Sequence, residues 1–557
     1  MKKTMRILVF ACLMLLICAL TLSACDGGED PQVPNGPDDG TAEGGNGGEG
    51  TGEGEGGEDG SDGAHQHTFG DWVVIRDATC TESGLKFRKC TTCDEEETEY
   101  ITPHHAWIDA NCQSPKTCET CGETEGDLGD HAYQTGMCTL CGTFDPNGAD
   151  DLIYDGSAIT IQFPHYLGMR YQGILESVIE EFNRLYPNIT VDASIAGGMS
   201  DVIDAFRVYA TVWPTVTIQS QAYRFETDCY TLPLDLLVSS KAQIQRADGT
   251  VETLGLTEEQ ISQYFCLQTG DDGSLHALPF SNFILLMFYD EAFFAEHGFS
   301  VPTTWDEMET LCAAIKAIDP DCYPLGIGEY EAYILLCEQM GADYRGTSED
   351  PFAFNNASVR ECIARLYEWK QKGYVRTQEY GNSYYPGKYM NIDYHTMADT
   401  IYRATGHTGI APLPQEDPDN PKHLIMPYTL CASQVKDPQE AIAMYLFIKF
   451  LSTNAVFQAE MSMVNGALPA VDTVLEIEGY DRWLEVQDDQ TGIAAGVAFG
   501  LQDTFVASSN AAYSMIMRDQ IRQVIVTCFG ADITTDLDAY IQKLLEDAES
   551  ECHYICG

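Results

Sequence analysis

The chain has 557 residues, enough for several domains and a sizeable core. Its 30 Lys and Arg against 86 Asp and Glu give a net charge of −56 at pH 7, which repels phosphate backbones and anionic headgroups along most of its length and argues against nucleic-acid binding. Hydrophobic residues at 44% and aromatics at 10% belong to a body that folds, so the acidity must sit on surfaces and in a tail.

Lys2, Lys3 and Arg6 precede an apolar run from Ile7 to Leu22, the length of a secretory h-region and short for a membrane span. Residues 1–24 are expected to be a signal peptide ending in Leu22-Ser23-Ala24-Cys25. That ending resembles the bacterial lipobox, which implies cleavage before Cys25 and attachment of diacylglycerol to its thiol. Residues 25–63 are Gly, Glu, Asp and little else, with no Lys or Arg. Such a stretch buries too little surface to offset its backbone entropy, and its like charges extend it, so it is expected to be a disordered tether.

Residues 64–146 carry Cys80, Cys90, Cys93, Cys112, Cys118, Cys121, Cys138 and Cys141, with His67, His104, His105 and His131 between the clusters. Three Cys-x-x-Cys pairs recur, and each unit opens with a His soon followed by an aromatic: His67 with Trp72, His105 with Trp107, His131 with Tyr133. A tight Cys-x-x-Cys turn places two thiolates on one tetrahedral ion, and a remote Cys and a His complete the set. The pattern resembles the short zinc-ribbon-like repeats of surface proteins in Gram-positive anaerobes, which implies structural zinc; disulfides and reduced thiols are the alternatives. Two groupings compete. With a trailing His the sets are Cys80, Cys90, Cys93 with His104 or His105, and Cys112, Cys118, Cys121 with His131, leaving Cys138 and Cys141 over. With a leading His the sets begin at His67, His105 and His131, and the last is one ligand short. The trailing grouping is preferred because it closes two sets; neither closes three. A segment with so few aliphatic residues needs such staples to hold together.

After Asp150 the periodicity becomes that of a globular domain. Ile159 to Phe163 predicts a strand; Ile174, Leu175, Val178, Ile179, Phe182 and Leu185 recur at helical spacing until Pro187; Ile189 to Ala193 predicts the next strand. This β-α-β opening predicts an α/β domain with parallel strands. Phe283 to Tyr289 has the length of a buried strand, Thr304-Trp305-Asp306-Glu307 is a capping box behind Pro302, and Asp437-Pro438 opens a helix carrying Ile442, Leu446 and Phe450 on one face.

Four stretches in order resemble the extracellular solute-binding proteins of ABC importers, family 1: Phe182-Asn183-Arg184-Leu185-Tyr186-Pro187-Asn188-Ile189-Thr190-Val191; Leu278-Pro279-Phe280-Ser281-Asn282 leading to Phe288-Tyr289-Asp290; Pro302-Thr303-Thr304-Trp305-Asp306-Glu307; and Phe450-Leu451-Ser452 followed by Gly466-Ala467-Leu468-Pro469. Pro214-Thr215-Val216 departs from the family, where an Asp often follows this Pro. The resemblance implies a two-lobed, periplasmic-binding-protein-like α/β fold of type II over residues 152–550. Lobe 1 would hold about 152–281 and 412–455, and lobe 2 about 284–409 and 460–550, with a solute trapped between them.

Ligands of open α/β sheets sit beyond the carboxyl ends of strands. The candidates there are His165, Tyr166, Trp213, Gln219, Gln221, Tyr223, Phe280, Asn282, Tyr330, Tyr333, Asp393 and Tyr394, which together offer flat faces for sugar C–H surfaces and polar groups for hydroxyls. The expected function is that of a monomeric, lipid-anchored, outward-facing protein of a Gram-positive bacterium that delivers a sugar or oligosaccharide to an ABC permease. A non-transporting sensor or adhesin is the alternative. A carbohydrate-active enzyme is a more distant one, since no Gly-x-Ser-x-Gly elbow, Walker-type loop or His-Glu-x-x-His occurs. The ten cysteines from Cys229 to Cys556 are scattered like small core hydrophobes, which suggests a reducing habitat.

Overall fold

The structure, a computed structural model, describes residues 66–220, 231–267, 274–346, 350–376, 387–486, 489–507, 514–534 and 536–556. The expected signal peptide, acylated Cys25 and tether lie outside them. The chain divides into two compact units, one holding residues 66–77 and 84–101, the other 78–83 and 102–556.

The first unit is a three-stranded antiparallel sheet, Val73–Arg76, Gly84–Lys89 and Glu96–Ile101. Register places Lys86 opposite Glu99, Arg88 opposite Glu97 and Lys89 opposite Glu96, and each couple forms an ion pair. Trp72 lies under Lys86 and Arg88, and Phe69 under Arg88. Val73, Val74 and Ile75 are exposed, so charge pairing and cation–π contacts stand where an apolar core would be.

The second unit opens with a small sheet, Trp107–Ile108, Pro115–Cys118 and Thr124–Leu128, and a hairpin, Tyr133–Gln134 with Met137–Cys138. The α/β domain follows. Strands Ile159–His165 and Ile189–Ile195 pair in parallel around helix Gln172–Leu185, as the periodicity predicts. Strand Val216–Ser220 pairs antiparallel with His423–Ala432, which pairs antiparallel with the 13-residue strand Ala277–Tyr289. The first half of that strand is held by 425–431 and its second half by Met390–Tyr394, so one continuous strand passes from one core to the other.

Parallel pairing also occurs where Leu325–Gly326 meets Val375–Arg376 and Met390–Tyr394, and where Phe505–Ala507 meets His423 to Ile425. The sheet is therefore mixed. The expectation of parallel strands holds for the β-α-β opening and fails at the crossover, where the chain returns between the lobes and meets itself head to tail.

Two large cores result. The first gathers Ile161, Phe163, Phe182, Ile218, Leu278 and Phe280 around helix Pro438–Thr453, of which all but a few residues are buried. Asp437 caps that helix by accepting from the Gln439 N–H, with Pro438 in its first turn. The second packs helices Trp305–Ile318, Glu329–Met340, Ala357–Gln371, Ser514–Gly530 and Leu537–Cys556 around Trp305, Trp369 and Tyr333. Thr304 caps the first of these by accepting from the Glu307 N–H, while the Glu307 carboxylate accepts from the Thr303 N–H, one residue before the cap. A smaller cluster joins Ile284, Leu286 and Phe288 to Ala494, Ala498 and Tyr480. Phe457, Met461, Ala470 and Val471 pack in the first core, while Ala459 and Leu468 join the smaller cluster.

Candidate functional site

The Cys and His residues converge into three donor sets: His67, Cys90 and Cys93; Cys80, His105, Cys118 and Cys121; and Cys112, His131, Cys138 and Cys141, with all donor atoms of a set within 4.8 Å of one another. The same backbone pattern builds each knuckle. Cys90, Cys118 and Cys138 donate their N–H groups to the carbonyls of Glu95, Glu123 and Thr143, and Gly122 and Gly142, at φ 74° and 80°, close the second and third turns as only Gly does without strain. Each His stacks on an aromatic two residues on, Phe69, Trp107 or Tyr133. The Glu123 carboxylate lies 3.4 Å from His105 Nε2, turning Nδ1 toward the cysteines.

This grouping corrects the preferred one. The leading His joins its own Cys-x-x-Cys pair, and the lone Cys of each repeat, Cys80 or Cys112, joins the pair of the next. Cys138 and Cys141 are therefore not left over, and His104 stands outside all three sets while His67 and His105 stand inside. Two sets have four donors and the first has three among the described residues.

The sets fit a metal. A tetrahedral zinc with bonds of about 2.3 Å to sulfur and 2.0–2.1 Å to nitrogen has S···S edges of about 3.8 Å and S···N edges of about 3.5 Å. Cys80 Sγ lies 3.6 Å from Cys118 Sγ and Cys112 Sγ 3.7 Å from Cys138 Sγ; the sulfur–Nδ1 distances are 3.3, 3.4 and 3.2 Å for His67, His105 and His131. None of the eight cysteines from Cys80 to Cys141 is in a disulfide. The backbone N–H of Cys141 is the main influence that draws the Cys138 thiol down to about 5, and the Thr92 hydroxyl draws Cys90 down to about 4, so the leading cysteine of each of these pairs is prepared as a thiolate.

The predicted solute-binding residues divide. Gln221 and Tyr223 lie outside the described residues. Phe280 is buried in the first core against Phe457, and Tyr333 in the second. Asn282 is buried with its amide donating to the Pro469 carbonyl, and Trp213 is half exposed just past helix Met199–Tyr209. His165 and Gln219 stand at the carboxyl ends of their strands, both buried, with His165 Nδ1 and both ends of the Gln219 amide lacking hydrogen-bond partners among the described residues. A buried polar group left so costs about 1–3 kcal/mol, which a solute hydroxyl or a water would recover.

Tyr166 and Tyr394 fall at the two ends of an aromatic row that the sequence did not reveal. Tyr166 meets Tyr428 edge-on at 5.7 Å, Tyr428 meets Phe283 at 4.5 Å, and Phe283 meets Tyr394 at 6.4 Å. Tyr166 and Tyr428 pack against the first core, Tyr394 and Tyr330 against the second, and Phe283 and Tyr428 come from the two crossover strands. Beside Tyr394, Asp393 is held up to about 6, mainly by burial and further by the Glu331 carboxylate. Arg518 acts on both Tyr330 and Tyr394, and its Nε lies 3.8 Å from the Asp519 carboxylate. The row thus has a carboxyl and a guanidinium at its Tyr394 end, while at the other end His165 directly precedes Tyr166 in the chain and Gln219 pairs in register with Thr429, next to Tyr428.

Residues 177–488 match the family model described as bacterial extracellular solute-binding protein. No curated protein matches the sequence. The cyclic alpha-maltosyl-1,6-maltose binding protein of Arthrobacter globiformis is 17% identical with a TM-score of 0.55, the match covering 71% of this chain and 99% of that one. UgpB of Mycobacterium tuberculosis, solved with glycerophosphocholine, is 14% identical with a TM-score of 0.55 over 71% of this chain and 98% of its own. The sugar-binding protein MalE of Xanthomonas citri is 17% identical with a TM-score of 0.54 over 71% and 98%. At these identities the likeness is one of fold, the two-lobed α/β architecture.

Proposed function

Because the chain belongs to the bacterial extracellular solute-binding proteins, we propose that its two-lobed domain captures a neutral sugar or short oligosaccharide outside the cytoplasm and releases it unchanged to an ABC permease. The observation that carries this reading is the aromatic row from Tyr166 to Tyr394, together with the buried His165 Nδ1 and Gln219 amide, which have no hydrogen-bond partner among the described residues. Flat rings accept the C–H faces of a pyranose, and imidazole and amide accept or donate to its hydroxyls. The strong negative charge disfavours a polyanionic solute. Diacylglycerol on Cys25 would hold the protein at the membrane, with residues 26–63 as the spacer. Zinc in the three donor sets would supply the cross-links that the Cys/His segment lacks in apolar core.

Thermal melting of the purified protein with maltose, maltotriose, chitin oligosaccharides and glycerophosphocholine tests the solute class, since a ligand that binds the folded state alone must raise the melting point. A sugar is expected to do so and to be recovered intact. No shift with any sugar, or recovery of a cleaved product, would overturn the reading. Against the sugar that shifts the melting most, Tyr428→Ala is expected to lose about 1–3 kcal/mol of affinity in calorimetric titration, by analogy with stacking on bases. Unchanged affinity removes the aromatic row from the site. Cys25→Ala should move the protein from the membrane to the soluble fraction of cells; retention on the membrane refutes the lipid anchor.

A further inference from the structure

The third donor set differs from the second in what lies behind it. Met137 and Phe144, on either side of the Cys138/Cys141 turn, are buried in the first core of the solute-binding domain together with Leu152. Cys138 itself is buried, and Met137 and Phe144 bridge each other. At Gly142 an added Cβ would stand 2.5 Å from the Val435 carbonyl oxygen, so the Cys-x-x-Cys-Gly turn lies directly on the loop between strand His423–Ala432 and helix Pro438–Thr453. At Gly136, with φ 73°, it would stand 2.9 Å from the Leu152 side chain.

The chain after the turn is stitched down as well. Asp145 donates its N–H to the Gly136 carbonyl, Asp150 accepts from the Lys241 N–H, and the Gln439 amide bonds both the Ile153 carbonyl and the Asp155 N–H. By contrast, among the described residues none from 102 to 131 belongs to that core.

We infer that the third set, Cys112, His131, Cys138 and Cys141, is a folding element of the first lobe, so that metal held there stabilises the solute-binding domain while metal in the second set does not. This rests on the reading that the sets take zinc. The physical reason is continuity. Releasing the metal frees a turn whose flanking residues fill the lobe's core and whose backbone touches the loop leaving the strand that carries Tyr428.

The test uses the full chain, with bound zinc counted by elemental analysis and unfolding followed by calorimetry. Cys118→Ser/Cys121→Ser is expected to lose one zinc and leave the melting of the solute-binding domain unchanged. Cys141→Ser is expected to lose one zinc and lower that melting by about 5 °C or more. Should Cys141→Ser fail to fold, the wild-type protein decides: chelation should lower the domain's melting point and zinc alone should restore it. If zinc leaves with no change in the domain's melting, or the second-set variant lowers it equally, the inference falls while the zinc reading stands. If the purified protein holds no zinc and takes none up, the zinc reading falls first and the inference with it.

Discussion

The sheet at Val73–Ile101 and the sheet crossed by Ala277–Tyr289 belong to one chain and are held by different forces. In the first, three successive apolar residues, Val73, Val74 and Ile75, face solvent, and its strands are paired by Lys–Glu and Arg–Glu couples. In the second, the strand runs through nine buried residues from Leu278 to Phe288, between cores that contain Phe163, Phe447, Trp305 and Trp369. The comparison teaches that a sheet without a buried face needs another organiser. In residues 66–131 the donor sets stand where the core would be.

Removing metal gives the largest expected difference between the two regions. Structural zinc contributes on the order of 10 kcal/mol to small domains at neutral pH, more than their remaining contacts supply. Under a strong chelator, limited proteolysis should cut within 66–131 at once, while a fragment from about 150 to the C-terminal helix persists. If the segment from 66 to 131 resists digestion equally with and without chelator, the donor sets are not what organises it.

Acid acts on the second region by a different route. His395 lies wholly buried, with Nε2 on the Gly466 carbonyl and Nδ1 against the Ile284 backbone, and His423 is buried with Nδ1 on Thr504. Burial lowers both to about 4. Between that value and the unfolded value of about 6.5 the unfolded chain binds more protons, so stability rises with pH there. It is fully present above about 6.5, declines on acidification, and has lost on the order of 3 kcal/mol per ring near pH 4. An NMR titration should find both rings neutral at pH 5.5; protonation of either above that pH contradicts the account.

The same comparison explains what was legible in the sequence. The β-α-β opening was, because apolar residues from Ile174 to Leu185 repeat at the helical period and Pro187 ends the run. So were the caps at Thr304 and Asp437, because capping is local chemistry. The metal-donor residues could be read from their spacing, but not their partnership. Each lone cysteine crosses to the next repeat, and that choice depends on the folded path of the chain rather than on intervals along it. The aromatic row was hidden for a related reason. Phe283 reads as a strand residue and Tyr428 stands in a stretch that the sequence does not single out, while Phe280 and Tyr333, chosen as ring faces for a sugar, turned out to be core. An aromatic has the same letter in either place, and only the side of the strand or helix it leaves from separates them.

The smallest effect sharpens the contrast from the other side. If the charge pairs of the first sheet were its main support, neutralising one would cost as much as losing a donor. Glu97 is well exposed and Arg88 less so, and their pairing is reinforced by Trp72 and Phe69 beneath the guanidinium. Exposed pairs contribute about 0–1 kcal/mol and weaken as salt screens them. Glu97→Gln is therefore expected to lower the stability of the first sheet by no more than about 1 kcal/mol, with the difference shrinking in high salt, as read by hydrogen exchange of the Phe87 and Thr98 amides in the metal-loaded protein. A loss approaching that of Cys90→Ser would mean that charge, not the donor set, organises the sheet. The division between a region organised by donor sets and a core-built one would then have to be redrawn.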